Sequence, residues 1–531
     1  MTRPLPGLLA LAFAAALIGG AFAGLVWKAG ADPAGAAGAF DAYLVRILRF
    51  TLWQAALSTL LSVAPAILVA RALSRHPAFP GRSLVLGLFA VPLGLPAIVA
   101  ALGVLALWGR AGLFAPLFSW LAGGDWPGIY GLSGILVAHV FFNLPLAARL
   151  LLEALDSVPL DHWRLSAQLG MKPAASFRLI EWPALRAALP GTAALVFMLC
   201  VTSFTIVLML GGGPAATTLE VAIYQALRFD FDPARAVALT LVQVALTVVA
   251  VALMARLGAN PVGEANLALA PRRYGRPSPS ATAADAAVIA AAVLFVAGPM
   301  AATVAAGLAA DLGRLLSEAS VRRAAGTSLA LAAAAALLAA ALSLALVALR
   351  RRLEAARGGR RAGALEWAAG SGALFVLVVP PTVIGAGWFI LLLPTGLVFA
   401  AAPAMVVAVN AVMAMPFAMR AIRPAYDAAS LRHDRLAAQL GISGWTRFRL
   451  IDWPPLRRPL LTALAFAAAL SLGDLGVIAL FGSESVRTLP YLLMERMGAY
   501  RTADAAGLAL ILGALCLALM ALATHFGRER P

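Results

Sequence analysis

The sequence is poor in the residue types on which most soluble enzymes depend. Of 531 residues only 12% are charged, and the chain has five histidines, two cysteines and two lysines, Lys28 and Lys172. With 62% hydrophobic residues, this composition excludes a soluble multidomain protein, because so much apolar surface would aggregate in water. The two cysteines, Cys200 and Cys516, lie in apolar segments and are too few for a disulfide framework.

These absences also limit the chemistry that the chain can perform. Neither lysine stands in a GxxxxGK[ST] phosphate loop, so the sequence encodes no site for nucleotide hydrolysis. The histidines lie in separate segments without the spacing of metal ligands, which disfavours a membrane-bound enzyme. We therefore predict no catalytic residue, no metal site and no cofactor in this chain.

Long apolar runs are what the sequence has in abundance. Twelve segments reach the roughly 20 residues that cross a hydrocarbon core of about 30 Å. They lie near residues 8–27, 50–70, 84–108, 129–151, 191–210, 235–257, 285–309, 325–349, 368–394, 397–419, 459–481 and 503–523. The sequence predicts an all-α polytopic membrane protein with twelve transmembrane helices in two homologous six-helix halves.

The predicted halves are residues 1–257 and 285–531. Residues 258–284 are rich in Pro, Ser, Gly and Arg and are predicted to form a cytoplasmic linker. The net charge of +17 comes from arginines scattered at segment ends, which disfavours a nucleic-acid partner and places both termini in the cytoplasm by the positive-inside rule. The first segment resembles a signal peptide, but an even number of spans favours an uncleaved helix.

Prolines and glycines interrupt the third predicted span of each half, at residues 91–103 and 378–387. Paired interruptions in two halves are typical of a transport pathway. Close helix packing through small residues is an equally weighted alternative.

One polar segment occurs twice, 271 residues apart. It reads RLSAQLGMKPAASFRLIEWPALR at 164–186 and RLAAQLGISGWTRFRLIDWPPLR at 435–457, with 14 of 23 positions identical. Lipid-facing composition cannot explain a likeness that is strongest in a polar loop. A membrane surface would require only charge and amphipathicity, so the repeat favours a protein partner.

Each copy is predicted to form two short helices. Gly170 and Gly441 are expected to end the first helix in a left-handed conformation. Ser157 is expected to cap the start of that helix, with Pro159 in its first turn, and Ser430 is the expected cap in the second copy.

A glycine followed by isoleucine ten residues later and proline thirteen residues later occurs in both copies, at Gly170, Ile180 and Pro183 and at Gly441, Ile451 and Pro454. This pattern resembles the EAA loop of ATP-binding-cassette (ABC) importer permeases. The resemblance implies a type I importer permease with two coupling loops, the first loop at about 153–190 and the second loop at about 421–458. The implied coupling residues are Arg164, Ala167, Gln168, Gly170, Ile180, Pro183, Arg435, Ala438, Gln439, Gly441, Ile451 and Pro454. The chain departs from the family at Arg164 and Arg435, where the family has an acidic residue.

The family resemblance also implies partners. Two copies of an ABC ATPase subunit would bind ATP and Mg, and a periplasmic substrate-binding protein would deliver the solute. The segments Tyr130–Leu155, Leu210–Ala236 and Ser471–Ala506 resemble permeases for thiamine and thiamine diphosphate. A permease for ferric iron or another small solute is the alternative, and an ion-coupled secondary transporter is less favoured because it does not explain the repeated loop.

Polar or aromatic residues inside the apolar segments are candidates for a substrate pathway. An acidic residue within a span costs roughly 2.5–3.5 kcal/mol to insert, so Asp474 indicates a functional site. The candidates are Asp474, Ser203, Phe204, His139, Asn143 and Asn410. Hydrogen bonding between helices is the alternative role for each polar member.

Overall fold

The structure is a computed structural model that describes residues 4–256, 278–357, 361, 363–376, 379–442, 444–484 and 486–527. Every regular element within these ranges is a helix, as lipid requires of a chain that must satisfy its own backbone hydrogen bonds. Most of the predicted linker, 258–284, lies outside the described residues.

The α-helices up to residue 256 are α1 (Leu5–Ala31), α2 (Pro33–Gly38), α3 (Ala42–Arg75), α4 (Arg82–Leu88), α5 (Val91–Gly94), α6 (Ala97–Trp108), α7 (Ala115–Ala122), α8 (Leu132–Asp156), α9 (Leu160–Gln168), α10 (Pro173–Ser176), α11 (Trp182–Val201), α12 (Thr205–Leu210), α13 (Leu219–Arg228) and α14 (Pro233–Arg256).

The later α-helices are α15 (Pro279–Leu308), α16 (Leu312–Ser317), α17 (Ala319–Ala356), α18 (Ala364–Val376), α19 (Pro381–Leu392), α20 (Ala402–Gln439), α21 (Gly444–Arg447), α22 (Trp453–Leu472), α23 (Gly476–Phe481), α24 (Leu489–Gly498) and α25 (Thr502–Gly527). Two π-helices, Phe177–Glu181 and Phe448–Asp452, and two short 3₁₀-helices, Pro214–Ala216 and Leu393–Thr395, complete the described elements.

Nine helices among the described residues are long and apolar enough to cross a membrane. They lie in α1, α3, α8, α10 with α11, α14, α15, α17, α20 and α25. A tenth is possible if the pair Arg82–Gly94 and Ala97–Trp108, which is bent by 113°, is one span. The prediction of a polytopic helical membrane protein is confirmed, whereas twelve spans are not.

The difference in number has a local cause. The predicted third span breaks where Leu95 is extended before Pro96, since the residue preceding proline avoids the helical conformation. The predicted ninth segment is divided between α18 and α19, and the eleventh between α22 and α23. These pieces are shorter than the continuous helices expected from the apolar runs.

Contacts group the chain into two compact units. Unit one is Met1–Asp41, Ala222–Val244 and Gly307–Pro531, and unit two is Ala42–Val221 and Ala245–Ala306. The repeat divides the chain by order into halves, and that division stays a prediction. In the units, α1 groups with helices of the second half and most of α15 with helices of the first half.

Glycines make these groupings possible. In unit one, a Cβ added at Gly24 of α1 would overlap the carbonyl oxygen of Gly387 in α19. The indole nitrogen of Trp388 donates to the carbonyl of Leu17, 2.7 Å away. In unit two, a Cβ at Gly103 of α6 would overlap backbone of α15. Gly103 and Gly387 belong to the interrupted third spans, so small-residue packing accounts for these glycines.

Candidate functional site

The first loop contains two helices separated by a glycine. Helix α9 begins after Pro159, whose extended backbone precedes Leu160, and ends at Gln168 before Gly170. Gly170 has φ +59°, the left-handed conformation predicted for it. The prediction for Ser157 was wrong: its hydroxyl donates to the carbonyl of Ala154, 2.8 Å away, at the end of α8.

The second loop has the same glycine but a different entry. Helix α20 runs without a break from Ala402 to Gln439, so Ser430 lies inside it. The prediction that Ser430 caps a helix was therefore wrong. Ser430 stands at the repeat position of Pro159, and serine keeps the backbone N–H group that proline lacks, so it favours continuation of the helix. Gly441 has φ +65°, as predicted.

After the glycine both loops return to the bundle in the same way. A four-residue helix, α10 or α21, leads into a π-helix that continues into α11 or α22. Each π-helix ends on a buried acid, Glu181 or Asp452. The two copies therefore have the same local structure as well as the same sequence.

The loops expose matching apolar side chains. The exposed fractions in the first and second loops are 54% and 54% for Leu165 and Leu436, 67% and 63% for Leu169 and Leu440, 64% and 62% for Leu179 and Leu450, and 39% and 45% for Trp182 and Trp453. We call these eight residues the apolar contact surfaces. Exposed apolar patches rimmed by polar residues mark sites of contact with a protein or a membrane. The sequence prediction missed them as site residues, although their identity in both copies was a signal.

The predicted coupling residues lie around these surfaces. The exposed ones are Arg164, Ala167, Gln168, Gly170, Pro183, Gln439, Gly441 and Pro454, and Ile180 and Ile451 are half-buried. The side chains of Arg435 and Ala438 lie outside the described part of the chain. Arg164 forms an exposed ion pair with Asp161, with 3.3 Å between nitrogen and oxygen. The coupling role of all these predicted residues stays a prediction.

The first loop is anchored to α3 through its buried acid. Nε of Arg71 donates to a carboxylate oxygen of Glu181 at 2.7 Å, and Nε of Arg75 lies 3.9 Å from the other oxygen. The guanidinium of Arg71 also lies 4.0 Å from the centre of the Phe177 ring. Only 3% of the Glu181 side chain is exposed, so the carboxylate depends on these arginines for charge compensation.

A hydroxyl pair joins the two parts of the first loop. The side-chain oxygens of Ser166 and Ser176 are 2.9 Å apart. Trp163 is buried beside them on α9. The hydrogen bond between Ser166 and Ser176 therefore holds α9 against α10 behind the exposed residues of the loop.

The second loop is held by a different set of charges. Arg447 forms ion pairs with Asp434 and with Asp452, the latter at 3.5 Å. Burial raises the pKa of Asp452, and the positive charge of Arg447 opposes this rise. Ser430 donates to the second carboxylate oxygen of Asp434 at 2.6 Å. The acid at the repeat position of Glu181 is thus paired within its own loop.

Arginines of α17 bind the helix that leads into the second loop. Arg350 pairs with Asp427, and Nε of Arg351 donates to the hydroxyl of Ser430 at 3.3 Å. The residues contacted here, Asp427 and Ser430, precede the glycine of the second loop. In the first loop, Arg71 and Arg75 contact Glu181, which follows the glycine.

The pathway candidates in unit two form a buried polar group. Nδ1 of His139 lies 2.9 Å from the hydroxyl of Ser58, and the amide of Asn143 donates to the sulfur of Cys200 at 3.3 Å. Both candidates bridge helices, which supports the alternative of interhelical hydrogen bonding. Ser203 and Phe204 lie in the break between α11 and α12, shortly after Cys200 in the chain.

The candidates in unit one lie together at a similar break. The amide of Asn410 donates to the hydroxyl of Ser471 at 3.0 Å. Between α22 and α23, the carboxylate of Asp474 accepts from the backbone N–H groups of Gly476 at 3.1 Å and Val477 at 3.4 Å. Asp474 therefore caps α23, and its role in a pathway stays a prediction.

Comparison with known proteins identifies the class. Residues 62–260 and 355–530 match the family described as binding-protein-dependent transport system inner membrane component. The chain belongs to this family and is a multi-pass inner-membrane permease.

Individual relatives extend the match to the whole chain. It is 59% identical over 530 residues to the thiamine transport system permease protein ThiP of Brucella abortus (strain 2308), covering 100% of this chain and 96% of the relative. It is 42% identical over 516 residues to the protein of the same name from Escherichia coli K12, covering 97% and 95%. The corresponding Haemophilus influenzae protein is 37% identical over 487 residues, covering 91% and 88%.

Proposed function

We propose that this chain is the membrane-spanning subunit of an ATP-driven importer that moves thiamine and its phosphates from the periplasm to the cytoplasm. The high identity to thiamine permeases over the full chain supports the substrate. The observation that carries the coupling to ATP is the pair of matching apolar contact surfaces on the two loops.

The proposal includes a topology of twelve spans with both termini in the cytoplasm. Twelve spans result if the bent third segment and the two divided segments each cross the membrane once. Both termini, the linker and the two loops then lie in the cytoplasm, in accord with the arginines at the C-terminal ends of α3 and α17. The packing of α1 against α19 supports retention of the first helix.

Each loop docks on one copy of an ABC ATPase subunit. A separate ATPase is required because the chain has no phosphate loop, so ATP and Mg are bound by the partner and the permease itself is not an enzyme. Two copies are proposed because the contact surface occurs twice. An acidic residue on the ATPase would complement Arg164 and Arg435, which replace the acid of the family.

The anchors behind each surface transmit the motion of the ATPase. A push on the first loop passes through Glu181 to Arg71 and hence to α3. A push on the second loop passes through α20, which is continuous with its span, and through Arg350 to α17. Closure of the ATPase subunits then exposes the pathway outward, and hydrolysis returns it inward.

Thiamine is an aromatic cation, and Asp474 is the acidic candidate in the pathway. Asn410 lies close to it through Ser471, while Ser203, Phe204, His139 and Asn143 are the candidates of the other unit. Delivery by a periplasmic binding protein agrees with the family to which the chain belongs.

Uptake of labelled thiamine tests the proposal. Cells that lack their own thiamine permease would receive this chain together with a cognate ATPase and binding protein. We expect ATP-dependent thiamine uptake that an ATPase-inactive partner abolishes. Uptake of ferric iron but not thiamine, or uptake without any ATPase, would contradict it.

A further inference from the structure

A continuous groove follows the exposed face of α3 in unit two. Three adjoining depressions of about 560, 620 and 750 Å³ share lining residues and so form one feature. Arg49 lines the first and second, while Leu52 and Ala56 line the second and third. The third is closed on its sides by α11, from Pro190 to Phe197, and by the C-terminal part of α14.

The groove changes character sharply along its length. Its first depression is lined by Ala42, Val45, Arg46 and Arg49. Among the described residues that line the third, Thr59 is the one with a polar side chain, and its hydroxyl donates to the carbonyl of Ala55 at 2.7 Å. The groove therefore has a cationic end and an apolar body.

The two arginines at the cationic end are exposed, and the structure records no ion pair for either of them within the ranges it describes. Arg46 lies 5.5 Å from the centre of the Tyr43 ring. The nearby Asp41 is paired with Arg235. Trp53 lines the second depression and is 58% exposed. Exposed tryptophans are typical of the level of the lipid headgroups.

The length of the apolar body suits one acyl chain. From Leu52 to Ile67 the groove follows α3 for fifteen residues, which is roughly 22 Å at the helical rise. One leaflet occupies about half of a hydrocarbon core that is roughly 30 Å thick. An acyl chain whose headgroup lies at Arg46 and Arg49 would therefore end inside the groove.

We propose that this groove is a binding site for one anionic phospholipid, with its phosphate on Arg46 and Arg49 and an acyl chain between α3, α11 and α14. An apolar helix of another protein would leave both arginines without a counterion. The cationic substrate proposed above would be repelled by them.

The site has a mechanical consequence that rests on the proposed function. The same α3 carries Arg71, which holds the first loop, and α11 follows directly from that loop. A lipid chain in the groove therefore packs against both helices to which the first loop is attached.

Binding to the purified full-length chain tests the site without substrate or ATPase. Native mass spectrometry would compare phosphatidylglycerol with phosphatidylcholine of the same acyl chains. A basic residue near a membrane contributes about 1 kcal/mol to attraction of anionic lipid, so Arg46→Gln and Arg49→Gln should each weaken phosphatidylglycerol binding about fivefold, and together about 30-fold. Arg110→Gln, an exposed arginine of unit two outside the groove, is the matched control and should change nothing.

A second pair of variants tests the apolar body with both arginines intact. Ala56→Trp and Ala64→Trp fill the groove and should also reduce the bound lipid. Brominated acyl chains should quench a fluorescence component that disappears in Trp53→Phe. Equal binding of both lipids, an unaffected double arginine variant, or full binding after the groove is filled would each overturn the proposal. Co-purification of a protein in place of lipid would do so as well. Thiamine uptake is a separate measurement, so failure of the lipid site and failure of the proposed function can be told apart.

Discussion

The first and second loops present the same surface to the outside but are held by different contacts. Their exposed leucines match within a few percent of exposure, and both glycines are left-handed. Behind that surface, Glu181 is paired with arginines of α3, whereas Asp452 is paired with Arg447 of its own loop. A shared outer surface with unlike inner contacts is what we expect if the proposed partner constrains the outer surface and each bundle constrains the inner contacts.

The helices that lead into the two loops also differ. Pro159 separates α9 from α8, and Ser430 leaves α20 continuous. A separate helix needs an anchor after the glycine, which Arg71 supplies. A continuous helix is already attached to its span, and the contacts from α17 stabilise it there.

The largest expected effect tests what the loops share. Leu169→Asp and Leu440→Asp place a charge in each contact surface, and an unpaired charge buried in an interface costs several kcal/mol. We expect each single variant to weaken association with the ATPase strongly and the double variant to abolish it, as measured by co-purification and uptake. Ala174→Asp is the control, since it is exposed where the copies differ. Normal coupling in the double variant would refute the contact surfaces.

The next prediction tests what the loops do not share. Arg71→Ala leaves Glu181 buried without its main partner, which typically costs about 3–5 kcal/mol. Hydrogen exchange should increase in the first loop and stay unchanged in the second. Arg447→Ala should give the opposite pattern, and adding Glu181→Gln to Arg71→Ala should restore part of the protection. Loosening of both loops by either variant would contradict separate anchors.

A third prediction compares the breaks in the two units. Asp474→Asn keeps a side-chain oxygen that can cap α23 but removes the negative charge. We expect roughly tenfold slower uptake of a cationic substrate, equivalent to about 1.4 kcal/mol, with normal insertion into the membrane. Ser203→Ala at the matching break should have little effect. Normal uptake by the Asp474 variant would remove this carboxylate from the pathway.

The smallest effect concerns the hydroxyl pair of the first loop. Ser166→Ala introduces the residue type found at Ala437 in the second loop and removes the contact with Ser176. The loss should be about 1 kcal/mol in local stability, with transport almost unchanged. Hydrogen exchange of α9 measures it, and a loss of coupling as severe as that of Leu169→Asp would show that this pair does more than support the loop.

Parts of the site were predictable because they depend on local properties. Gly170 and Gly441 could be placed from the repeat, since a left-handed helix end favours glycine whatever surrounds it. Glu181 and Asp452 occupy one repeat position, but only the structure shows that both acids are buried. The partners of these acids could not be predicted from the repeat, because the two copies use different ones. Arg71 is 110 residues distant from Glu181 in the chain, whereas Arg447 lies in the same loop as Asp452.

By itself, the sequence determined that this protein is helical and membrane-spanning and that one loop occurs twice, because apolar length, charge and repetition are properties of the chain alone. Only the tertiary structure decided that the eleventh segment is divided, that α1 and α15 each join helices of the other half, and which charges anchor each loop. Those features depend on which surfaces meet, and apolar segments of similar composition leave the choice of neighbour to shape and to the few glycines and charges that fit.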